Sequence, residues 1–268
     1  MNSRSSALRR NIVTMLEHGG RGHVASAFSL VEILSVLYDS VLAFRPDEPL
    51  WKHRDRLILS KGHGCMALYS ILADKGFFAK AEFERFCKSD GILGGHPEYA
   101  KVPGVEASTG ALGHGLSIGV GMALNARYEG LGHRVVVILG DGECNEGSVW
   151  EAALCASKHG LENLTAVIDY NKMQSYASTH EVLELEPLAK KWESFGFAVA
   201  ETDGHDVNAL GEVFGRLPLS PRQPSMVICH TVKGKGVPYV ENNLSWHHKN
   251  KLSPEELTAL YSSLEAAS

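Results

Sequence analysis

Five short apolar runs, with helix-like segments between them, restrict the fold of this chain more than any other feature. The runs lack the polar–apolar alternation of a half-exposed strand, and they cover 56–60, 134–139, 164–169, 197–201 and 225–229. Continuous apolar strands are typical of a sheet that is covered on both faces. Helical patterns lie between them at about 64–75, 81–88, 147–159, 187–195 and 206–217. This alternation predicts an α/β fold with a doubly wound, mostly parallel sheet and helices on both faces.

A helical period also precedes the first strand. Apolar residues recur along Ser29–Leu42 at the spacing of one helix face. Ser29 and Glu32 form a capping-box pattern, in which each side chain would bond to the other residue's backbone N–H. We therefore expect a helix that begins at Ser29.

Two further helices complete the predicted domain. The stretch 110–130 is a glycine-rich entry into a helix of small residues, which could pack closely on the sheet. The last element has Ser253 as N-cap and Glu256 three residues later. No linker or repeat is visible, so we expect a single domain over 1–268, with the N-terminal helices and the C-terminal helix packed on it.

Charge and cysteine content exclude several classes of protein. A net charge of −5 leaves no basic stripe for nucleic acid. No apolar run approaches the roughly 18 residues of a membrane span, so we expect no membrane contact. The five cysteines form no C-x-x-C pair, and no signal peptide is visible. We therefore expect reduced thiols and a cytoplasmic location.

Two polar residues follow two of the predicted strands. Asp141 comes just after one strand, and Asn171 comes thirty positions later, just after the next. Ligands collect at the carboxyl ends of such strands, where these two side chains could converge. Their oxygens suit Mg²⁺ or Ca²⁺, and Gly140 and Gly142 would let the backbone approach a phosphate. The alternative is a surface turn with an unrelated Asn at the end of a strand.

The pair also lies within a larger pattern that resembles transketolase. A Gly-Asp-Gly turn followed about thirty residues later by Asn is similar to the thiamine diphosphate motif. Six segments resemble transketolase segments in the same order: SKGHG (60–64), GGHPE (94–98), STGALGHGL (108–116), GDGECNEG (140–147), DGHD (203–206) and VKGKG…SWHHK (232–249). Together they cover nearly the whole chain.

The resemblance implies a site for thiamine diphosphate and a divalent metal. Asp141, Asn171 and the backbone carbonyl of Met173 would bind the metal, which is Mg²⁺ by default, with Ca²⁺ or Mn²⁺ as substitutes. The implied cofactor-binding residues are His63, Gly110, Leu112, Gly140, Gly142, Glu143, Asn171, Met173 and His247.

The resemblance also implies residues for the sugar and for assembly. His96 would hold the C1 hydroxyl of the donor, His23 would meet hydroxyls near the reacting carbon, and His247 would lie between diphosphate and substrate. Glu146 would lie at a subunit interface and completes the catalytic set. Imidazole suits these positions because it can donate or accept a proton near neutral pH.

The sequence departs from the family pattern in three places. Val24 and Ala25 stand where Pro-Gly is usual after the His, and His114 stands where Gln is common. The segment NKMQSYAS (171–178) lacks the usual Asp-Gly. These departures leave the donor preference open.

Transketolases are more than twice this length, and the resemblance covers only their diphosphate-binding domain. The chain is therefore either one subunit of a split enzyme or a fragment of a longer one. We expect the N-terminal subunit of a split transketolase, inactive alone and assembled as a heterotetramer with a pyrimidine-binding subunit. Two copies of this chain would also associate as a dimer. The alternatives are the alpha subunit of a 2-oxo-acid dehydrogenase and a non-catalytic cofactor-binding module. The sequence does not identify the donor and acceptor sugars or their pathway.

Overall fold

The computed structural model describes residues 2–249 and 252–266, and a single parallel sheet organises them. Its strands are β1 (Arg56–Leu59), β2 (Val135–Gly140), β3 (Leu164–Tyr170), β4 (Ala198–Asp203) and β5 (Ser225–His230). All neighbours pair in parallel, in the order β1-β2-β3-β5-β4. This topology places the carboxyl ends of all five strands at one edge of the sheet.

Helices cover both faces of this sheet. The α-helices are α1 (Ser3–Gly19), α2 (Val24–Phe28), α3 (Val31–Val36), α4 (Cys65–Asp74), α5 (Gly115–Tyr128), α6 (Gly147–Lys158), α7 (Thr179–Val182), α8 (Leu188–Ser194), α9 (Val207–Phe214) and α10 (Pro254–Ala266). Short 3₁₀ segments are Gly62–Gly64, Lys80–Arg85, Gly142–Asn145 and Leu244–Trp246. Within the described residues, none of the helices has both the length and the apolar character that crossing a bilayer requires.

The central strands separate two apolar cores. Every residue of β2 and β3 is buried, which is why their sequences show no alternation. Their side chains nevertheless alternate in space: Val136 and Ile138 join the core with α1, α3 and α4, whereas Val137 and Leu139 join the core with α5 and α6. The predicted α/β fold class is thus confirmed.

The small-residue helix α5 packs closely on the sheet, as predicted. A Cβ atom placed on Gly119 would lie 2.4 Å from Cγ2 of Val137 in β2. No side chain larger than hydrogen fits there without moving the helix. Glycine therefore sets the distance between this helix and the sheet.

The predicted helix 29–42 differs from the observed structure. Two elements replace it: α3 and a π-helical turn at Leu37–Val41. The capping box was wrong, because Ser29 Oγ donates to Asp169 Oδ2 at 2.6 Å and Glu32 pairs with Arg9. Both side chains are buried and bond to distant elements rather than to the helix start.

The C-terminal capping box is present as predicted. Glu256 N–H donates to Ser253 Oγ at 3.2 Å, and Ser253 N–H donates to the Glu256 carboxylate at 3.0 Å. The helix that follows, α10, packs on α1, and its Leu260 and Leu264 are buried.

Candidate active site

One cleft lies at the carboxyl ends of β1, β2, β3 and β5. It has a volume of about 690 Å³. All thirteen residues predicted for the site line it: His23, His63, His96, Gly110, Leu112, Gly140, Asp141, Gly142, Glu143, Glu146, Asn171, Met173 and His247. They come from segments up to 224 residues apart, and the parallel topology brings them to one edge.

Asp141 and the segment that begins with Asn171 are in direct contact. Asp141 follows β2, and its carboxylate accepts hydrogen bonds from Gly142 N–H at 2.7 Å and from Lys172 N–H. Lys172 has a left-handed backbone with φ of 63°, which turns the chain sharply after Asn171. The convergence expected from the strand ends is therefore present.

The other two predicted metal ligands lie beside this carboxylate. Asn171 Oδ1 accepts a hydrogen bond from Met173 N–H at 3.1 Å, and Asn171 Nδ2 donates to Asp169 at 3.3 Å. These two bonds fix which way the amide points. The Met173 carbonyl accepts from the Lys233 ammonium at 3.1 Å. The positively charged Lys233 thus already contacts one of the three oxygens that were predicted to bind the metal.

The chemistry of this end of the cleft fits a divalent metal. Burial, together with the nearby Asp169 carboxylate, raises the pKa of Asp141 from 3.8 to about 6. A buried carboxylate in this state is stabilised by a cation. A carboxylate, an amide oxygen and a carbonyl are the hard oxygen donors that Mg²⁺ and Ca²⁺ prefer.

The glycine turn beside Asp141 fits a diphosphate. A Cβ atom on Gly142 would lie 2.9 Å from Cγ of Gln174, so only glycine leaves this surface open. Nε2 of Gln174 is buried and has no hydrogen-bond partner within the described residues. An amide donor left unpaired in a cleft points to an acceptor that binds there, such as a phosphate oxygen.

Two buried lysines were not among the predicted site residues. Lys61 forms an ion pair with Asp169, which also accepts from Ser29 and Thr231. Burial, followed by the charge of Lys61, lowers the pKa of Lys233 to about 8. Both lysines lie in segments that resemble transketolase, SKGHG and VKGKG. Their presence in these segments is the sequence signal from which they could have been predicted.

Glu143 is engaged by the protein itself. Oε1 accepts from Ser60 Oγ–H and from Gly113 N–H at 2.9 Å, and Oε2 accepts from Gly140 N–H at 3.0 Å. Burial raises the pKa of this carboxyl. Because both oxygens already have donors, Glu143 is suited to hold the surrounding loops, whereas a direct cofactor contact was predicted for it.

Four imidazoles form the other end of the cleft. The ring centroids of His23 and His63 are 5.3 Å apart, and His248 lies 4.6 Å from both His23 and His247. Burial lowers the pKa of His23 to about 4 and, with the charge of Lys233 next, that of His247 to about 3. These two rings are therefore neutral at pH 7.

Hydrogen bonds fix the tautomers of two of these rings. His23 Nδ1–H donates to the His247 carbonyl at 3.0 Å, which leaves Nε2 as an acceptor. Lys233 Nζ donates to His247 Nδ1 at 2.5 Å, so the proton of the neutral ring is on Nε2, 3.1 Å from Ser175 Oγ.

His96 enters the cleft from a separate loop. Its carbonyl accepts from Tyr69 O–H at 2.8 Å, and its ring lies against Gly110, where a Cβ would be 3.0 Å from Cδ2. Burial lowers the pKa of this ring as well. The ring lies in the cleft with no hydrogen bond within the described residues, so its nitrogens are available to a ligand.

The rim of the cleft is apolar and open. Leu112, Tyr176, Val182 and Leu183 line it and are exposed, Tyr176 to 89%. Glu146 is also exposed at this rim. Large apolar side chains grouped around a cleft are typical of a surface that another protein covers.

Residues 2–265 match the family model described as "Transketolase, thiamine diphosphate binding domain". The chain belongs to this family. The cleft at the strand ends is therefore the candidate thiamine diphosphate site of a transketolase domain, and the predicted family is confirmed.

Relatives of similar length are named as single subunits of a transketolase. The chain is 39% identical over 240 residues to an apulose-4-phosphate transketolase subunit of Phocaeicola vulgatus, covering 90% of this chain and 85% of the relative. It is 39% identical over 246 residues to the 6-deoxy-6-sulfo-D-fructose transketolase subunit SqwG of Clostridium sp., covering 92% and 89%. These matches confirm the prediction of a transketolase N-terminal subunit over that of a 2-oxo-acid dehydrogenase subunit.

Solved transketolases have the same fold over part of their length. The transketolase of Campylobacter jejuni is 27% identical with a TM-score of 0.91, and the match covers 99% of this chain but 43% of that one. This chain therefore spans less than half of that transketolase.

Proposed function

We propose that this chain is the diphosphate-binding subunit of a split transketolase. With its partner it transfers a two-carbon ketol unit from a ketose, by default a ketose phosphate, to an aldose. The observation that carries this proposal is the convergence of all thirteen predicted residues on one cleft, with Asp141 in contact with the Asn171 segment.

In this proposal the oxygen-rich end of the cleft holds Mg²⁺ and the diphosphate. Asp141, Asn171 and the Met173 carbonyl bind the ion, with Ca²⁺ or Mn²⁺ as possible replacements. His63 and the Gly140–Gly142 backbone contact the diphosphate, Gly110 and Leu112 line the thiamine, and Glu143 holds the glycine loops. The unpaired amide of Gln174 and the Lys233 ammonium supply further donors.

The histidine end receives the sugar. The cofactor supplies the carbanion chemistry of ketol transfer, and the protein orients the reactants. His96 holds the C1 hydroxyl of the donor, His23 contacts hydroxyls near the reacting carbon, and His247 lies between diphosphate and substrate. The low pKa values of His23 and His247 keep both rings neutral at pH 7, so Nε2 of His23 can accept a hydrogen bond from a hydroxyl and Nε2–H of His247 can donate one.

The partner subunit covers the apolar rim and completes the cofactor site. Leu112, Tyr176, Val182 and Leu183 would be buried on assembly. Two copies of this chain would meet near Glu146 and the exposed face of α5, which gives a heterotetramer. A single domain over 1–268 and a cytoplasmic location remain predictions from the sequence.

Reconstitution tests the proposal. The purified chain should bind Mg²⁺ and thiamine diphosphate weakly in calorimetry and should show no ketol transfer. Adding the pyrimidine-binding subunit should tighten cofactor binding and start turnover. A panel of ketose donors would then show which sugar the enzyme uses. Steady-state turnover by the chain alone would refute the split enzyme. Cofactor binding by the assembled complex without turnover on any ketose would instead favour a non-catalytic module.

A further inference from the structure

Three imidazoles lie together in the cleft, and Lys233 lies between them and the Met173 carbonyl of the oxygen-lined end. A ring nitrogen from each of His23, His247 and His248 lies within 4.8 Å of those of the other two. Bond lengths near 2 Å place the nitrogens of a tetrahedral ion about 3.3 Å apart, so the three rings need to move only about 1–1.5 Å closer to contact one ion. His248 is exposed and His247 is buried, so the group bridges solvent and cleft.

The backbone holds these rings in place. Gly22 N–H donates to the Lys249 carbonyl at 3.1 Å, in an isolated antiparallel bridge. This bridge joins the residue before His23 to the residue after His248. The His247 carbonyl in turn accepts from His23 Nδ1–H at 3.0 Å. The group is therefore fixed by two independent contacts between segments more than 220 residues apart.

The same carbonyl contact prepares His23 as a ligand. Histidines that bind metals usually donate their other ring N–H to a carbonyl or carboxylate, which fixes the tautomer. His23 does this, so its Nε2 is a free acceptor. Across residues 2–249 and 252–266, neither ring nitrogen of His248 has a hydrogen-bond partner. Two of the three ligands are thus available without breaking a bond.

His247 is the ligand that costs most to recruit. Its two ring nitrogens already bond to Lys233 Nζ and Ser175 Oγ. An ion must displace one of these partners. Affinity therefore depends mainly on His23 and His248, and His248 is the one of the two to which no catalytic role has been given.

We propose that His23, His247 and His248 form a binding site for a transition-metal ion such as Zn²⁺, distinct from the Mg²⁺ site. Imidazole nitrogens favour Zn²⁺, Cu²⁺, Ni²⁺ and Co²⁺, whereas Mg²⁺ prefers oxygen. Three histidines leave a fourth position open to water. An ion there occupies the rings that the sugar would contact, so the site is inhibitory.

Ion binding can be measured without any activity. The tag-free chain is titrated with Co²⁺ in the presence of excess Mg²⁺, and the visible absorption of tetrahedral Co²⁺ is followed until Zn²⁺ displaces it. His248→Ala should weaken Co²⁺ binding by at least about 10-fold, because loss of even an outer-shell partner costs about 10–100-fold. His248→Asn should give the same loss, and circular dichroism would check the fold of both variants.

Two control variants decide what the titration means. His18→Ala removes an exposed imidazole outside the group and should leave Co²⁺ affinity unchanged. Asp141→Ala removes the oxygen site and should also leave it unchanged. Equal affinity in the wild type and His248→Ala would overturn the proposal. Loss of the tetrahedral spectrum in Asp141→Ala would overturn it too, since the ion would then lie at the oxygen end.

Inhibition is a second readout, and it rests on the proposed function. In the assembled enzyme, Zn²⁺ should compete with the donor sugar, and His248→Ala should need at least about 10-fold more Zn²⁺ for the same inhibition. Noncompetitive inhibition unchanged by this substitution would overturn the inhibitory role. If the assembled enzyme shows no turnover, the proposed function fails while the Co²⁺ titration still decides the site.

Discussion

Replacing Asp141 with Asn should remove a pH-dependent loss of stability from the metal-free chain. Burial and the Asp169 carboxylate raise the pKa of Asp141 from 3.8 to about 6 in the folded protein. Below about pH 3 this carboxyl is protonated in both the folded and the unfolded state. As the pH rises towards 6, the unfolded chain loses this proton first, so the free energy of unfolding falls. Above about pH 7 the effect is constant.

The size of this effect follows from the shift. The difference of 6 − 3.8, at about 1.4 kcal/mol per pKa unit, gives about 3 kcal/mol lost between pH 3 and pH 7. Asn cannot ionise, so the Asp141→Asn chain should not show this part of the pH dependence. Mg²⁺ binding should offset this loss in the wild type. At a Mg²⁺ concentration 100 times the Kd, it should raise the free energy of unfolding by about 2.7 kcal/mol.

Urea unfolding from pH 3 to pH 8 measures the pH dependence in EDTA, and the same series with Mg²⁺ in place of EDTA measures the stabilisation by the metal. The informative value is the difference between wild type and Asp141→Asn, because groups that do not interact with Asp141 titrate equally in the two chains and cancel. Asp47→Asn, at an exposed position, serves as the matched control and should run parallel to the wild type. Parallel curves for the wild type and Asp141→Asn, with equal stabilisation by Mg²⁺, would show that this carboxylate is neither strained by burial nor a metal ligand.

Two further predictions concern the two ends of the cleft. His96→Ala should weaken donor use by about 5–150-fold, the equivalent of a lost 1–3 kcal/mol contact, with little change in cofactor affinity. Kinetics and cofactor titration of the assembled enzyme would measure this, and equal losses in both would mean that His96 is not a sugar contact. Glu143→Gln should cost about 1–3 kcal/mol of stability and weaken diphosphate binding, because its amide would oppose the Gly140 N–H or the Gly113 N–H. Urea unfolding and diphosphate titration test this, and unchanged values in both would refute the positioning role.

The sheet could be predicted from the sequence because its signal is local. Buried parallel strands need continuous apolar runs, and the runs of β1, β2, β3 and β5 lie between polar or glycine residues, whereas the edge strand β4 is only partly buried. The strand ends then located Asp141 and Asn171 without any knowledge of the strand order. The positions of these two side chains were therefore predictable from the local strand signal alone.

The partners of buried polar groups were not predictable in this way. Ser29 bonds to Asp169, 140 positions away, and Lys61 pairs with the same carboxylate from 108 positions away. A local pattern, such as a Ser three residues before a Glu, holds no information about such contacts. The failed capping box and the unassigned lysines have this common cause: a buried polar group is satisfied by whatever the tertiary fold brings near it.

Lys233 gives the cleft a property that neither of its ends has separately. One ammonium group contacts both the Met173 carbonyl, where the ion is proposed to bind, and the His247 ring, where the sugar is proposed to bind. A ligand that displaces this ammonium from one contact changes the other, so the two binding events share a coupling free energy. Such coupling is reciprocal: if the sugar changes the affinity of the chain for the ion by some factor, the ion changes the affinity for the sugar by the same factor. Affinities measured for ion and sugar one at a time will therefore not multiply to the affinity for both together.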